Sequence, residues 1–257
     1  MKIQLVSFPI NDGNLSQRDE SHRIEDIVSI INSSNADFIM FSEHILCRKE
    51  SLETICKEVQ LSSVTALFEL KDMTRKGLAR NKLYLLQEGC LIDMQSRQVF
   101  ADSSQVDEEH CERLIEELEY RRQFEVSGKR FLIIQCGENN ILKSVRGEGK
   151  AIFRLNKRAD FKKRFEEMLR STDVVLNPTH TQWVGRFKEP FISRLLTFSE
   201  KKRYSFTCTQ LEGQQLMNAR KNPADNSTMK GMHSRRQMNP IYTNEDEEYL
   251  VQIFEIE

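Results

Sequence analysis

An α/β fold in a single domain covering residues 1–257 is what this sequence predicts, and three observations carry it. Short apolar runs alternate with amphipathic segments along the chain. Some runs are continuously apolar and others alternate with polar residues, which suits sheets covered by helices on one face and packed together on the other. No internal repeat or low-complexity linker divides the 257 residues, a length that can bury a substantial core without disulfides or metals.

The elements follow in order. Lys2–Phe8 reads as a strand, and Asn11–Ser16, with Asp12 and Gly13, as a loop. Arg23–Asn32 carries Ile24, Ile27, Val28, Ile30 and Ile31 at helical spacing. Asp37–Ser42 is a second strand, ending at Glu43; Leu52–Glu58 is a short helix and Val64–Leu70 a strand. Asn81–Leu86 and Leu91–Asp93 flank Glu88-Gly89, the pattern of a hairpin. Val106–Val126 is charged, with a narrow stripe of Leu114, Ile115 and Leu118, and predicts an exposed helix. Phe131–Gln135 is a strand that runs straight into Cys136. Phe161–Leu169 is amphipathic, and Asp173–Leu176 is a strand followed by Asn177-Pro178-Thr179-His180. Phe191–Tyr204 reads as helix and Ser205–Leu211 as strand. Asn218–Met238, polar and without periodicity, reads as a long irregular segment, and Glu248–Glu257 as the closing strand.

Charge is abundant but balanced, with 38 basic against 39 acidic residues, so no global field argues for nucleic acid or an anionic membrane. The apolar start, MKIQLVSFPI, is broken by Gln4 and Ser7 and is read as a strand and not a leader. No run approaches the roughly 18 apolar residues of a membrane helix, and a cytoplasmic protein is expected. The six cysteines (47, 56, 90, 111, 136 and 208) form no CxxC pair, which argues against a zinc site and a disulfide scaffold.

Several strands end in side chains that chemistry can use. Glu43 follows one, Cys136 another, and Asn177-Pro178-Thr179-His180 a third. Ligand sites in open α/β sheets lie beyond the carboxyl ends of strands. A thiol becomes a useful nucleophile only beside a base or a positive field, and a carboxylate from a neighbouring strand supplies the first. Each residue also has a structural reading: Cys136 as a small buried hydrophobe, Glu43 as a solvated acid, Glu138 as a turn cap, His180 as an exposed loop residue, Trp183 as cover for apolar surface.

The order of the pieces resembles the carbon–nitrogen hydrolase family, the nitrilase superfamily, over almost the whole chain. IQLVSFPINDGN is similar to that family's first strand and loop, and ADFIMFSEHIL to the strand ending in its catalytic Glu, with Ser42 where Pro is usual. NKLYLLQEG resembles its hairpin, GKRFLIIQCGE the strand presenting its nucleophilic Cys, and DVVLNPTHT the strand after that. SFTCTQLEG and EYLVQIFEIE resemble its last strands. The resemblance implies an α-β-β-α sandwich of two mixed sheets. It also implies hydrolysis of a non-peptide carbon–nitrogen bond in a small amide-like substrate. Cys136 would be the nucleophile and Glu43 the general base, with no metal or organic cofactor. Glu138 and His180 fall where the family places pocket residues. A homodimer is implied, packed through Phe191–Tyr204 and Glu248–Glu257.

One family residue, a Lys after the hairpin, has no counterpart: no Lys lies between Lys82 and Lys129. Counting from Gly89 puts Arg97 in its place, with Gln98 one position on. Arg keeps the charge but presents a planar fork in place of a point ammonium. The alternatives are therefore a catalytically impaired ligand-binding or regulatory module on the same fold, and an acyltransferase using the same Cys.

Overall fold

The computed structural model describes residues 1–9, 20–61, 63–71, 81–155, 157–179, 188–210, 228–244 and 249–257. The loop expected at Asn11–Ser16, together with His180 and Trp183, lies outside them.

The first half builds one sheet and its helices. Strand β1 (Lys2–Ser7) is followed by helix α1 (Ser21–Ser33), β2 (Phe38–Phe41), α2 (Lys49–Glu58) and β3 (Thr65–Leu70). A hairpin, β4 (Lys82–Gln87) and β5 (Cys90–Arg97), follows, with Glu88 and Gly89 both at positive φ in its turn. Next come α3 (Glu108–Tyr120), β6 (Gln123–Val126), β7 (Lys129–Ile133), β8 (Leu142–Val145) and β9 (Lys150–Phe153). The chain continues through α4 (Ala159–Ser171), β10 (Val174–Pro178), α5 (Lys188–Phe198) and β11 (Tyr204–Cys208). It ends with β12 (Met229–His233), β13 (Arg236–Gln237), β14 (Tyr242–Thr243) and β15 (Leu250–Glu255).

The strands form two large mixed sheets. One runs β14-β15-β1-β2-β3-β4-β5 and the other β13-β12-β11-β10-β7-β6; β8 and β9 pair apart as a small hairpin. In the first sheet β1, β2 and β3 are parallel, and in the second β7, β10 and β11 are parallel. The expected α-β-β-α sandwich is the fold observed, because the core divides into three layers. Between the sheets lie Leu5, Phe38, Met40 and Leu67 from one side and Phe131, Ile133, Leu176 and Phe206 from the other. The outer face of the first sheet buries Ile27 and Ile31 of α1 and Leu52 and Ile55 of α2. The outer face of the second buries Leu114 and Leu118 of α3, Phe161 and Phe165 of α4, and Leu195 and Phe198 of α5. Strands covered on both faces read as unbroken apolar runs, as FIMF does, and TALFEL is buried throughout although it carries Thr65 and Glu69.

Three readings of the sequence are corrected. The helix expected to reach Val126 stops at Tyr120, and Gln123–Val126 turns back through Ser127 and Gly128, both at positive φ, to pair with β7. Two left-handed residues are what a tight hairpin turn requires. The helix expected to reach Tyr204 ends at Phe198, where Lys201 and Lys202 at positive φ break it. Of the segment read as irregular, the described part forms β12 and β13, with β12 pairing antiparallel to β11 along its length. The hairpin β8–β9 had no strong pattern in the sequence. Leu250–Phe254 of the closing strand is buried within the chain, between β1 and β14.

Gly231 explains why β12 escapes periodicity. A Cβ there would stand 2.8 Å from the Phe206 ring and 3.0 Å from that of Phe254, so the strand lies flat on two large side chains. We expect Gly231→Ala to lower stability by about 1–3 kcal/mol through overpacking, read as a drop in urea midpoint with an unchanged slope. An unchanged midpoint would show that the two rings yield freely.

Candidate active site

Glu43, Glu69 and Cys136 come together behind the ends of β2, β3 and β7. Glu43 is fully buried two residues past β2, Cys136 is 7% exposed three residues past β7, and Glu69 is buried within β3. The three are close enough that the charges of Glu43 and Cys136 both act on the Glu69 carboxyl. Burial is the larger cause, and with those charges it raises that carboxyl well above the ordinary range. Glu69 Oε1 accepts from Asn81 Nδ2 at 2.9 Å and from Gln135 Nε2 at 2.6 Å, while its Oε2 is buried without a hydrogen-bond partner. A neutral acid with its proton on Oε2 fits that asymmetry.

Asn81 is the link between the acids. Its Nδ2 donates to Glu43 Oε1 as well as to Glu69, and its Oδ1 faces His44 Nε2 at 3.0 Å. His44 Nε2 also lies 3.3 Å from Glu43 Oε1, and its backbone takes a positive φ of 61°. Gln210 Nε2 donates to the Glu43 carbonyl at 2.8 Å, fixing the main chain of that turn from β11's end. A neutral Glu69 removes its repulsion with Glu43 and with the Cys136 thiol.

The turn carrying Cys136 is fixed by a buried ion pair. Arg122, fully buried just before β6, donates from Nη1 and Nη2 to the two Glu138 oxygens. Glu138 also accepts the Val99 N–H at 2.6 Å and the Gln135 N–H at 3.1 Å. Burial pushes the Glu138 carboxyl up and Arg122 pulls it down. Its oxygens face only donors in these contacts, so a proton would find no acceptor and the group is held as the carboxylate. Arg122 further donates to Ser96 Oγ at 2.6 Å and to the Arg97 carbonyl at 2.7 Å. The end of β5 and the Cys136 turn are thus bolted to one guanidinium.

That arrangement decides what each residue named from the sequence does. Glu43 and Cys136 are brought together. Glu138 is a buried structural partner of Arg122 and not an exposed turn cap. His180 lies outside the described residues. Arg97 is corrected in position: its side chain is exposed, and the buried neighbours on that strand end are Ser96 and Gln98. β5 is irregular there: between the pairs Lys82↔Arg97 and Tyr84↔Asp93 it runs four residues against two on β4, with Gln95 at a φ of 52°. Gln98 Nε2 donates to the Cys136 carbonyl, so a neutral amide stands beside the thiol where a cation was expected. Glu69 and Arg122 were missed. A lone acid in the apolar run TALFEL was a usable signal for Glu69; Arg122 was hidden in a segment read as solvated helix.

By sequence the chain matches no protein-family model and no curated protein. By structure it is similar to an amidase from Nesterenkonia sp. AN1, at 9% identity and a TM-score of 0.54, covering 100% of this chain and 93% of that one. Another structure of that amidase shows acrylamide added at the active-site cysteine, and a further one places the enzyme in the nitrilase superfamily. It is also similar to glutamine-dependent NAD+ synthetases from Acinetobacter baumannii (12% identity, TM-score 0.52) and Cytophaga hutchinsonii (10%, 0.56). The alignments cover 99% of this chain in both cases but only 45% and 42% of the synthetases, so it spans less than half their length.

Two outcomes test the geometry. Gly137 has a φ of 81°, and a Cβ there would lie 2.1 Å from the Ala101 carbonyl oxygen. Gly137→Ala should therefore cost at least about 1–3 kcal/mol in backbone strain and shift the Cys136 turn, seen as a lower thermal midpoint and altered thiol labelling. For Glu69 the folded state keeps a proton that the unfolded chain releases near the ordinary carboxylate pKa. Above that pH the native state binds more protons, so stability falls as pH rises toward the raised value. Glu69→Gln removes that dependence, and its stability should fall less than the parent's between mildly acidic and neutral pH. Parallel pH–stability curves would mean Glu69 is ionised in the fold.

Proposed function

We propose that this chain, which has the fold of the nitrilase-superfamily carbon–nitrogen hydrolases, hydrolyses a non-peptide carbon–nitrogen bond in a small amide. The observation that carries the reading is the burial of two acids, Glu43 and Glu69, with the Cys136 thiol, Glu69 being pushed toward its neutral form. Cys136 Sγ attacks the amide carbon while Glu43 takes the thiol proton. Glu43 returns that proton to the nitrogen as the C–N bond breaks, and ammonia or an amine leaves. Glu43 then takes a proton from water, whose oxygen attacks the thioester; the acid departs and the thiol is restored. Because Glu69 keeps its proton, only one of the two acids serves as base. The Gly137 N–H, next in the chain to the nucleophile, would hold the developing oxyanion.

A second reading has its own observation. The Arg97 side chain is exposed, and Gln98 donates to the Cys136 carbonyl from the same strand end. A turn held by that amide, with Arg97 facing away, suits a module that binds small amides without turning them over. The two separate in one experiment, with ammonia release measured across a panel of simple amides and the Cys136 adduct followed by intact mass after exposure to acrylamide. Hydrolysis predicts release that falls by about 10²–10⁴ in Glu43→Gln and disappears in Cys136→Ala, with acrylamide adding first at Cys136 among the six cysteines. Release that survives Cys136→Ala would defeat the mechanism. No release, with saturable thermal stabilisation by an amide, would establish the binding module.

A further inference from the structure

Two arginines outside the Cys136–Glu43 pair hold the same turn. Arg194, on α5, donates from Nη1 to Asn139 Oδ1 at 2.8 Å. Arg154, just past β9, donates from Nε to the Asn140 carbonyl at 2.7 Å. Asn139 and Asn140 belong to the 3₁₀ turn Glu138–Ile141, three and four residues after Cys136. Asn140 Nδ2 in turn donates to the Gly137 carbonyl at 2.7 Å, so the turn that presents the thiol also carries both guanidinium anchors.

Neither guanidinium is matched by a carboxylate among the described residues. Burial, with the nearby Arg154 charge, pushes Arg194 down to about 10, which places the two like charges within reach of each other. Arg194 Nε is buried and has no hydrogen-bond partner. Anchoring an amide and a carbonyl needs one donor from each arginine, and neutral side chains would do it without desolvating two cations. Arginine forks are suited to an oxyanion, which would satisfy the idle donors and cancel the repulsion.

We propose that Arg154 and Arg194 form an anion subsite beside the Cys136 turn, so that the small molecule bound there carries a carboxylate or phosphate group as well as its amide. The assignment of the amide rests on the hydrolase reading; the anion subsite does not.

The test uses the intact chain, and titrates it with inorganic phosphate and with succinate, against sodium chloride at matched ionic strength. We expect saturable thermal stabilisation by one of the two anions beyond that of chloride, weakened about tenfold or more in both Arg194→Gln and Arg154→Gln, as the loss of a charge-assisted pair implies. Which anion binds tells phosphate from carboxylate. Cys136→Ala should bind the anion as the parent does; a parent that binds the anion but releases no ammonia from any amide would remove the hydrolase reading and leave the subsite standing. A second readout covers variants that fold poorly: alkylation of Cys136 by iodoacetate relative to iodoacetamide, which should drop about tenfold in Arg194→Lys while the iodoacetamide rate holds. Stabilisation no greater than by chloride, or variants that bind as the parent does, would overturn the proposal.

Discussion

The pairing of Arg122 with Glu138 is the constraint on which the site depends. Both side chains are fully buried, and moving either ion out of water costs several kcal/mol even after relaxation. That cost is offset only because the pair is saturated: two guanidinium contacts, two backbone N–H groups on the carboxylate, and Ser96 and the Arg97 carbonyl on the arginine. A buried pair of this kind contributes little net stability compared with an apolar replacement. Its effect is to define one arrangement of the β5 end against the Cys136 turn. Removing one partner would leave the other as an uncompensated buried charge, at about 3–5 kcal/mol.

From that bolt the rest of the site follows in space. With the β5 end fixed, Gln98 falls under the Cys136 carbonyl and Arg97 is turned to solvent. With Gln135 fixed at its N–H, its side-chain amide reaches Glu69 on the facing sheet, which joins the two sheets through a polar contact at the edge of an apolar core. Asn81 then completes the connection from Glu69 to Glu43. Two acids sharing one amide cannot both ionise cheaply at this depth, and the protonated Glu69 resolves the conflict.

The distribution of positive charge separates this site from its sequence-based expectation. Described arginines stand near the nucleophile turn, but behind it or beside it. Arg122 is consumed by Glu138, and Arg154 and Arg194 hold the turn's far residues. Gln98, an amide, holds the Cys136 carbonyl, and the Glu69 carboxyl lies within electrostatic reach of the thiol.

What the sequence determined by itself was the layer plan and the two strand ends that matter. Unbroken apolar runs such as FIMF and the periodic stripes of α1 and α4 report burial on two faces or one, because solvent exposure is a local property of residue type and spacing. Glu43 and Cys136 were legible for the same reason: each interrupts an apolar strand at its end. The tertiary structure alone decided Arg97 against Gln98, since the two extra residues of β5 opposite β4 leave no periodic trace in the sequence. It alone revealed Arg122, Glu69 and the β12 strand. Their roles depend on partners 16, 12 and roughly two dozen residues away, as in Arg122 with Glu138, Asn81 with Glu69, and β12 with β11. A pairing between distant segments is set by how sheets pack, and no local pattern encodes it.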